Sequence, residues 1–245
     1  MKQTSPAWPI EIIGQVESPF KEKFSVPRQP NLASAVRGKI HFFAPFNQAP
    51  CFAGLEQFSH IWLQFIFDKT AEQGWKPSVR PPRLGGNKKV GVFATRSPFR
   101  PNPIGLSCVE LISVDINQQQ EVSLTIAGLD LVDKTPIVDI KPYVPYADSL
   151  ADASSLFSPQ APDLLNKVEF STNLTSQIQQ ISQSIPEFAQ VVEQVLLQDP
   201  RPAYHKKDPQ IDRIYGVKLY NFDIRWQIND QICYVVAINP QDQTE

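Results

Sequence analysis

The stretch Val90-Gly-Val-Phe-Ala-Thr-Arg-Ser-Pro-Phe-Arg-Pro-Asn-Pro-Ile-Gly-Leu-Ser107 decides how the rest of the chain is read. Its first residues continue a short strand-like run, Lys89 to Ala94, and its last residues open a second run, Gly105 to Val114. Between them stand Pro98, Pro101 and Pro103. Proline has no amide donor and a fixed φ, so this connection is neither helix nor central sheet. Arg96 and Arg100 sit in it beside Phe93 and Phe99. Two guanidinium forks in so apolar a loop suit a carboxylate or a phosphate. Two solvated surface charges would read the same way.

Outward from this stretch the same alternation of short strand and proline-rich loop continues. Ile10 to Val16, Phe58 to Phe67, Val122 to Leu129 and Ile137 to Ile140 read as strands. The polar turn Asn117 to Gln120 joins two of the runs into a hairpin. Pro27 to Pro30 and Pro77 to Gly86 are two more proline-rich connections. Many short strands with turn signals predict a barrel or sandwich, and long loops on such a scaffold carry function. Trp62, Phe65 and Phe67 are expected in the core, and His60 is read as a satisfied core histidine.

The pattern changes after Tyr146. Ala147 to Pro162 is rich in Ala, Ser, Asp and Pro, which suits a linker. Ser184-Ile-Pro-Glu187 has the form of a capping box, and Phe188, Val191, Val192, Val195 and Leu196 recur at helical spacing up to Pro200. Tyr220, Phe222, Ile224, Trp226 and Ile228 alternate with polar residues, and Asn229-Asp230 can turn that strand back into Ile232 to Ile238. The expected division is a barrel domain over 1–150, a linker over 151–162 and a small α+β domain over 163–245.

Composition excludes several classes. The 245 residues carry a net charge of −2, so the total charge does not argue for a nucleic-acid partner. Its distribution leaves one open, on equal terms with a solvated basic loop: Lys69, Lys76, Arg80, Arg83, Lys88, Lys89, Arg96 and Arg100 meet only Glu72 in one stretch. Such a stretch can neutralise RNA phosphates, with aromatics to stack unpaired bases. Cys51, Cys108 and Cys233 form no paired or metal-type spacing, and packed reduced thiols and no metal are expected. Pro6 and Pro9 interrupt any leader-like opening, and the run Ile61 to Phe67 is too short for a membrane span. A soluble cytoplasmic protein is expected. No G-x-G-x-x-G occurs, so a doubly wound nucleotide fold has no support.

Four motifs carry a resemblance. They are Ser18-Pro-Phe-Lys-Glu-Lys-Phe24 followed by Pro27-Arg-Gln-Pro30, Leu55-Glu-Gln-Phe-Ser-His-Ile-Trp62, the 90–107 stretch, and Asp133-Lys-Thr-Pro-Ile-Val-Asp-Ile-Lys-Pro-Tyr143. In this order they closely resemble the TrmO (TsaA-like) family over roughly residues 10–150. Asp199-Pro-Arg-Pro-Ala-Tyr204 and Tyr215-Gly-Val-Lys-Leu-Tyr-Asn-Phe-Asp223 resemble the second domain of bacterial members. The resemblance implies a mainly β protein: a single-sheet, non-Rossmann β-barrel, usually a homodimer, with S-adenosylmethionine as methyl donor. It implies methylation of the exocyclic N6 of threonylcarbamoyladenosine at position 37, in the tRNA anticodon loop. Carried over by position, the cofactor contacts are Pro27, Arg28, Gln29, Asp68, Lys69, Arg96, Leu106, Asp133, Lys134, Thr135 and Pro136. Family members commonly have His at the position of Asp68 and Gly at that of Lys134. The transfer needs a base, or a cation to stabilise a developing anion; Asp133, Asp139, Lys141 and Tyr143 are the candidates, without order among them. Arg100 and Lys141 are expected to meet the carboxylate of the modified base. A non-catalytic module that binds cofactor or RNA, or a methyltransferase for a small molecule or protein, are the alternatives.

Overall fold

The computed structural model describes residues 8–81, 88–155, 161–202, 205–206 and 213–241. Six strands close a barrel: β1 (Gly14–Glu17), β2 (Arg37–Phe42), β3 (His60–Ile66), β6 (Ile104–Ile116), β7 (Val122–Ala127) and β8 (Pro136–Pro142). Their order round the barrel is β1-β2-β7-β6-β3-β8, with every neighbouring pair antiparallel. A two-strand ribbon, β4 (Ser78–Val79) with β5 (Val90–Gly91), stands in the β3–β6 connection. One-turn helices α1 (Asp68–Ala71) and α2 (Pro145–Asp148) follow β3 and β8. The C-terminal unit holds β9 (Lys167–Phe170), α3 (Thr175–Ser182), α4 (Phe188–Leu197), β10 (Tyr215–Leu219), β11 (Phe222–Asn229) and β12 (Ile232–Pro240). Its sheet has the order β10-β11-β12-β9, with β9 parallel to β12.

Period-two burial explains the barrel. In β3, Ile61, Leu63 and Phe65 are buried inside, while His60, Trp62 and Gln64 face out. Opposite Phe65 stands Gly105, where a Cβ would lie 2.2 Å from the Phe65 ring. The ring therefore crosses the strand only because Gly105 has no side chain. His60 and Trp62 do not belong to the core, contrary to expectation. They sit on the outer face, half-buried, because they share a parity with Gln64.

Several local signals were weaker than the elements they mark. Strand β2 escapes a pattern search because Arg37, Lys39 and His41 fill one face and only Ile40 and Phe42 are buried on the other. Strand pairing in Lys89 to Ala94 stops at Gly91; Val92–Ala94 is a 3-10 turn closed by Thr95, whose hydroxyl donates to the Val92 carbonyl at 2.8 Å. The Ser184–Glu187 capping box does not form: α4 begins after Glu187 without a side-chain cap, and Ser184 Oγ bonds back to the Ile181 carbonyl. Tyr220, at φ 54, is in the β10–β11 turn, so the alternating strand begins at Phe222. The β11–β12 hairpin forms as expected, with positive φ at Asp230 and Gln231, the pattern of a type I′ turn. Cys233 is buried as expected, whereas Cys51 is exposed.

The C-terminal unit is docked on the barrel. Phe20 is fully buried and bridges to Leu219, and the Tyr220 amide donates to the Pro19 carbonyl at 2.8 Å. From α4, Gln194 accepts the Ala35 amide at 2.8 Å and Gln198 donates to the Leu32 carbonyl at 3.3 Å. One apolar cluster runs from Val16 and Phe20 through Phe188 and Val195 to Leu219. The linker expected over 151–162 includes residues 156–160, which lie outside the described residues.

Candidate active site

Barrel topology gathers the candidate residues. Because neighbours alternate in direction, β1, β3 and β7 end at the same rim where β2, β6 and β8 begin. Three connections share that rim: 18–36, 67–103 and 128–135. Pro27, Arg28 and Gln29 lie on the first, Asp68, Lys69 and Arg96 on the second, and Asp133, Lys134 and Thr135 on the third. Pro136 and Leu106 open the adjoining strands. Arg96 donates to the Gln29 side chain, which ties two of the three connections together.

Not every candidate points at open space. Asp133 accepts the Ser18 amide at 2.9 Å on one oxygen and the Lys21 ammonium at 2.8 Å on the other. Its carboxylate thus braces the 18–24 segment. Lys134 has φ 63, the left-handed region, and its amide donates to the Val16 carbonyl at 2.8 Å. Glycine would suit that φ, and Lys134 keeps the backbone bond while its side chain is exposed. Thr135 is buried and donates to the Val132 carbonyl. Asp68 pairs with its neighbour Lys69 at 2.9 Å. Arg100 donates to the Thr95 carbonyl at 2.8 Å and lies over the Phe93 ring at 5.6 Å, so it shapes its own loop. Lys76 does the same over Phe99, at 4.1 Å.

Asp139, Lys141 and Tyr143 occupy the outer wall. Gln64 pairs with Asp139 and Phe65 with Ile137, which leaves Val138 as a bulge. The bulge lets Ile137 face inward while Asp139 and Lys141 face outward as an ion pair. Leu106, Gln64 and Asp139 form one row across β6, β3 and β8, so Leu106 and Asp139 are about 10 Å apart on one face. Leu106 is 55% exposed there. Further along the same face, Tyr143 lies 5.8 Å from Trp62 and 6.3 Å from His60. The Trp62 indole donates to Asp148 at 3.1 Å, which anchors α2.

Asp130 and Ser107 were not among the expected residues. Ser107 Oγ donates to Asp130 at 2.6 Å. Burial pushes the Asp130 carboxyl up to about 6, against the Ser107 hydrogen bond, its own backbone and the charge of Arg96. The available signal was an acid between Leu129 and Leu131, both essentially fully buried. The folded state binds this proton more tightly than the unfolded chain. Its ionisation therefore costs stability above pH 6, and the cost vanishes as pH falls towards 3.8. Asp130→Asn is expected to raise unfolding stability at pH 8 by up to roughly 3 kcal/mol, and by less at pH 5. Urea denaturation at the two pH values measures it; equal shifts at both would contradict the raised carboxyl.

The basic stretch lies on the same rim connection, apart from Arg83, which is outside the described residues. The tail's cations are mostly paired: Arg201 with Asp199 at 2.8 Å, Lys206 with Asp199, Lys218 with Glu22 and Arg225 with Asp223. Lys207 lies outside the described residues. Arg28 lines two clefts of about 480 and 270 Å³ between the 23–28 segment and the C-terminal unit, both also lined by Arg201. Among the described residues no group of His, Cys, Asp or Glu could hold a metal ion, and no helix is long and apolar enough to cross a membrane.

Comparison with known proteins agrees with the fold. Two family models cover most of the chain, and both define one class, the tRNA methyltransferases built on this barrel: the tRNA-methyltransferase O N-terminal domain matches residues 15–149 and the TrmO C-terminal domain residues 163–241. The tRNA (adenine(37)-N6)-methyltransferase of Escherichia coli (strain K12) is 48% identical over 232 residues, 95% of this chain and 98% of that protein. A candidate S-adenosylmethionine-dependent methyltransferase of Pseudomonas aeruginosa is 46% identical over 218 residues, 89% of this chain and 91% of that one. The crystal structure of TrmO from Pseudomonas aeruginosa superposes with a TM-score of 0.80 at 36% identity, covering 95% of this chain and 98% of that chain. The chain belongs to the TrmO family.

Proposed function

We propose that the protein transfers a methyl group from S-adenosylmethionine to the exocyclic N6 of adenosine 37 in tRNA, and that this adenosine already carries threonylcarbamoyl. The observation that carries the reading is the convergence of the family's cofactor positions on one barrel rim, with Asp139 in the row of Leu106 on the outer wall and Lys141 and Tyr143 further along that face, away from the rim. The full-length likeness to a relative named for that activity supports it.

The rim suits a charged nucleoside cofactor. Arg28 and Arg96 offer guanidinium forks, Gln29 an amide, Leu106 an exposed apolar face, and the 133–136 turn backbone groups. S-adenosylmethionine, when bound, supplies an electrophilic methyl group. Positioning and charge stabilisation are left to the protein. Asp133 has both oxygens committed to the 18–24 segment, so it positions the loop. Asp139 and Lys141 are both partly exposed and outward. They suit the two remaining tasks, accepting the N6 proton and stabilising the anion, with Tyr143 beside them. The modified base leaves its stack at low cost because the anticodon loop is unpaired. A cytoplasmic homodimer with the basic 69–100 connection on the RNA completes the reading.

Arg28→Ala and Arg96→Ala are each expected to weaken S-adenosylmethionine binding by roughly 1.5–3 kcal/mol, the worth of a charge-assisted contact. Isothermal calorimetry on the two variants measures this. Wild-type affinity in both would remove these arginines from the cofactor site.

A further inference from the structure

The 67–103 connection is built round the 3-10 turn Val92–Ala94. Val92 is buried, and its amide donates to the Pro77 carbonyl at 3.1 Å. Its carbonyl accepts the Thr95 amide at 3.1 Å and the Thr95 hydroxyl at 2.8 Å. The backbone of the turn is thus fixed at both ends. Phe93, its middle residue, is nonetheless 74% exposed. Arg100 lies over the Phe93 ring at 5.6 Å. That guanidinium is itself held by the Thr95 carbonyl at 2.8 Å and the Val92 carbonyl at 3.3 Å.

A single exposed phenylalanine is ordinary on a protein surface. Two features set Phe93 apart. The first is rigidity: the turn is closed by hydrogen bonds, and a tethered cation covers one face of the ring. Such a ring loses little freedom when a flat partner meets its other face. The second is charge. From Lys69 to Arg100 the chain carries eight lysines and arginines against one acid, Glu72. A second copy of the chain, docked here about a two-fold axis, would bring those cations face to face. A polyanion would neutralise them, and a nucleic acid is the polyanion that also offers flat bases. The place fits the substrate too. Arg96, three residues beyond Phe93, donates to Gln29, so at most roughly 11 Å of chain separates the ring from the cofactor rim.

We propose that the free face of Phe93 stacks on an unpaired nucleobase of the tRNA anticodon loop, with Arg100 bracing the ring from behind. The role rests on the reading of the protein as a tRNA methyltransferase, and it adds an RNA contact that the resemblance does not supply. Every base has a π face, so the ring grips the loop without reading its sequence. It touches neither the methyl donor nor the reacting nitrogen.

The test is fluorescence anisotropy of labelled tRNA, carrying threonylcarbamoyl on adenosine 37, with the full-length protein. Phe93→Ala is expected to bind about tenfold more weakly. Phe93→Leu, apolar but without a π face, should be as weak, while Phe93→Trp should bind at least as tightly as wild type. The dependence of affinity on salt should not change in Phe93→Ala, because no phosphate contact is lost. In steady-state assays the loss should fall on KM for tRNA, with S-adenosylmethionine affinity and the urea midpoint as in wild type. Wild-type tRNA affinity in Phe93→Ala or in Phe93→Leu would overturn the proposal. So would a changed oligomeric state of Phe93→Ala in sedimentation, since the ring would then be a contact between copies. Wild-type protein that binds no tRNA would instead overturn the tRNA reading, and this role with it.

Discussion

Transcripts that lack threonylcarbamoyl on adenosine 37 are expected to accept methyl at least about 100-fold more slowly than the same tRNA carrying it. Two physical effects act together. The modification brings a carboxylate, and a site that pairs a carboxylate leaves its own cation unpaired when the group is missing. It also attaches a carbonyl to the reacting nitrogen, which makes the N6 proton easier to remove and lowers the demand on a base. Of the two expected carboxylate partners, Lys141 is the better placed. It is 60% exposed on the outer wall and, among the described residues, paired with Asp139. Arg100 already donates to the Thr95 and Val92 carbonyls of its own loop. Lys141→Ala should therefore lower the rate on modified tRNA while S-adenosylmethionine affinity changes little. Arg100→Ala should disturb the loop and both quantities. Equal rates on modified and unmodified transcripts would remove the carboxylate from the account.

Truncation after Asp152 is expected to abolish cofactor binding and to lower the stability of the barrel. The composition of 147–162 suits a linker between two units, and a barrel freed by cutting there would be expected to stand alone. The packing argues otherwise, because the segment that carries Pro27, Arg28 and Gln29 is held from both sides. From the barrel, Asp133 holds its start by accepting from the Ser18 amide and the Lys21 ammonium. From the C-terminal unit, Leu219, Tyr220, Gln194 and Gln198 hold Phe20, Pro19, Ala35 and Leu32. Removing the C-terminal unit would expose Phe20, which is fully buried in the whole chain. A gentler version is Phe20→Ala, expected to cost about 3–5 kcal/mol, as for other buried aromatic truncations. Urea denaturation of the variant and calorimetry on the truncated chain test the two statements. A truncated barrel with wild-type stability and affinity would show that the docking is incidental.

Where the chemistry of a residue agrees with its pattern, the sequence is legible. The alternation of Ile61, Leu63 and Phe65 and the β11–β12 hairpin both appear in the structure because burial parity and turn chemistry are local, although the turn falls one residue later than expected, at Asp230-Gln231. The cofactor positions that the resemblance implies also lie together, on connections that share one rim or near the starts of the strands that begin there. What stays hidden depends on partners far along the chain. Strand β2 has little apolar signal and exists because β1 and β7 pair with it. The outward turn of Asp139 follows from a bulge opposite Gln64 and Phe65, which no local pattern shows. His60 and Trp62 looked like core because their neighbours are apolar, yet strand parity puts them outside. Asp130 is invisible for a related reason: its partner Ser107 is 23 residues away.

The most direct test is mass spectrometry of nucleosides from bulk tRNA of a strain lacking this protein, with and without the gene restored. The account predicts that threonylcarbamoyladenosine lacks one N6 methyl group in the deletion strain and regains it on restoration. It also predicts that the purified protein adds the methyl in vitro when given S-adenosylmethionine. Identical nucleosides in the two strains, with no methyl transferred to that tRNA in vitro, would contradict it.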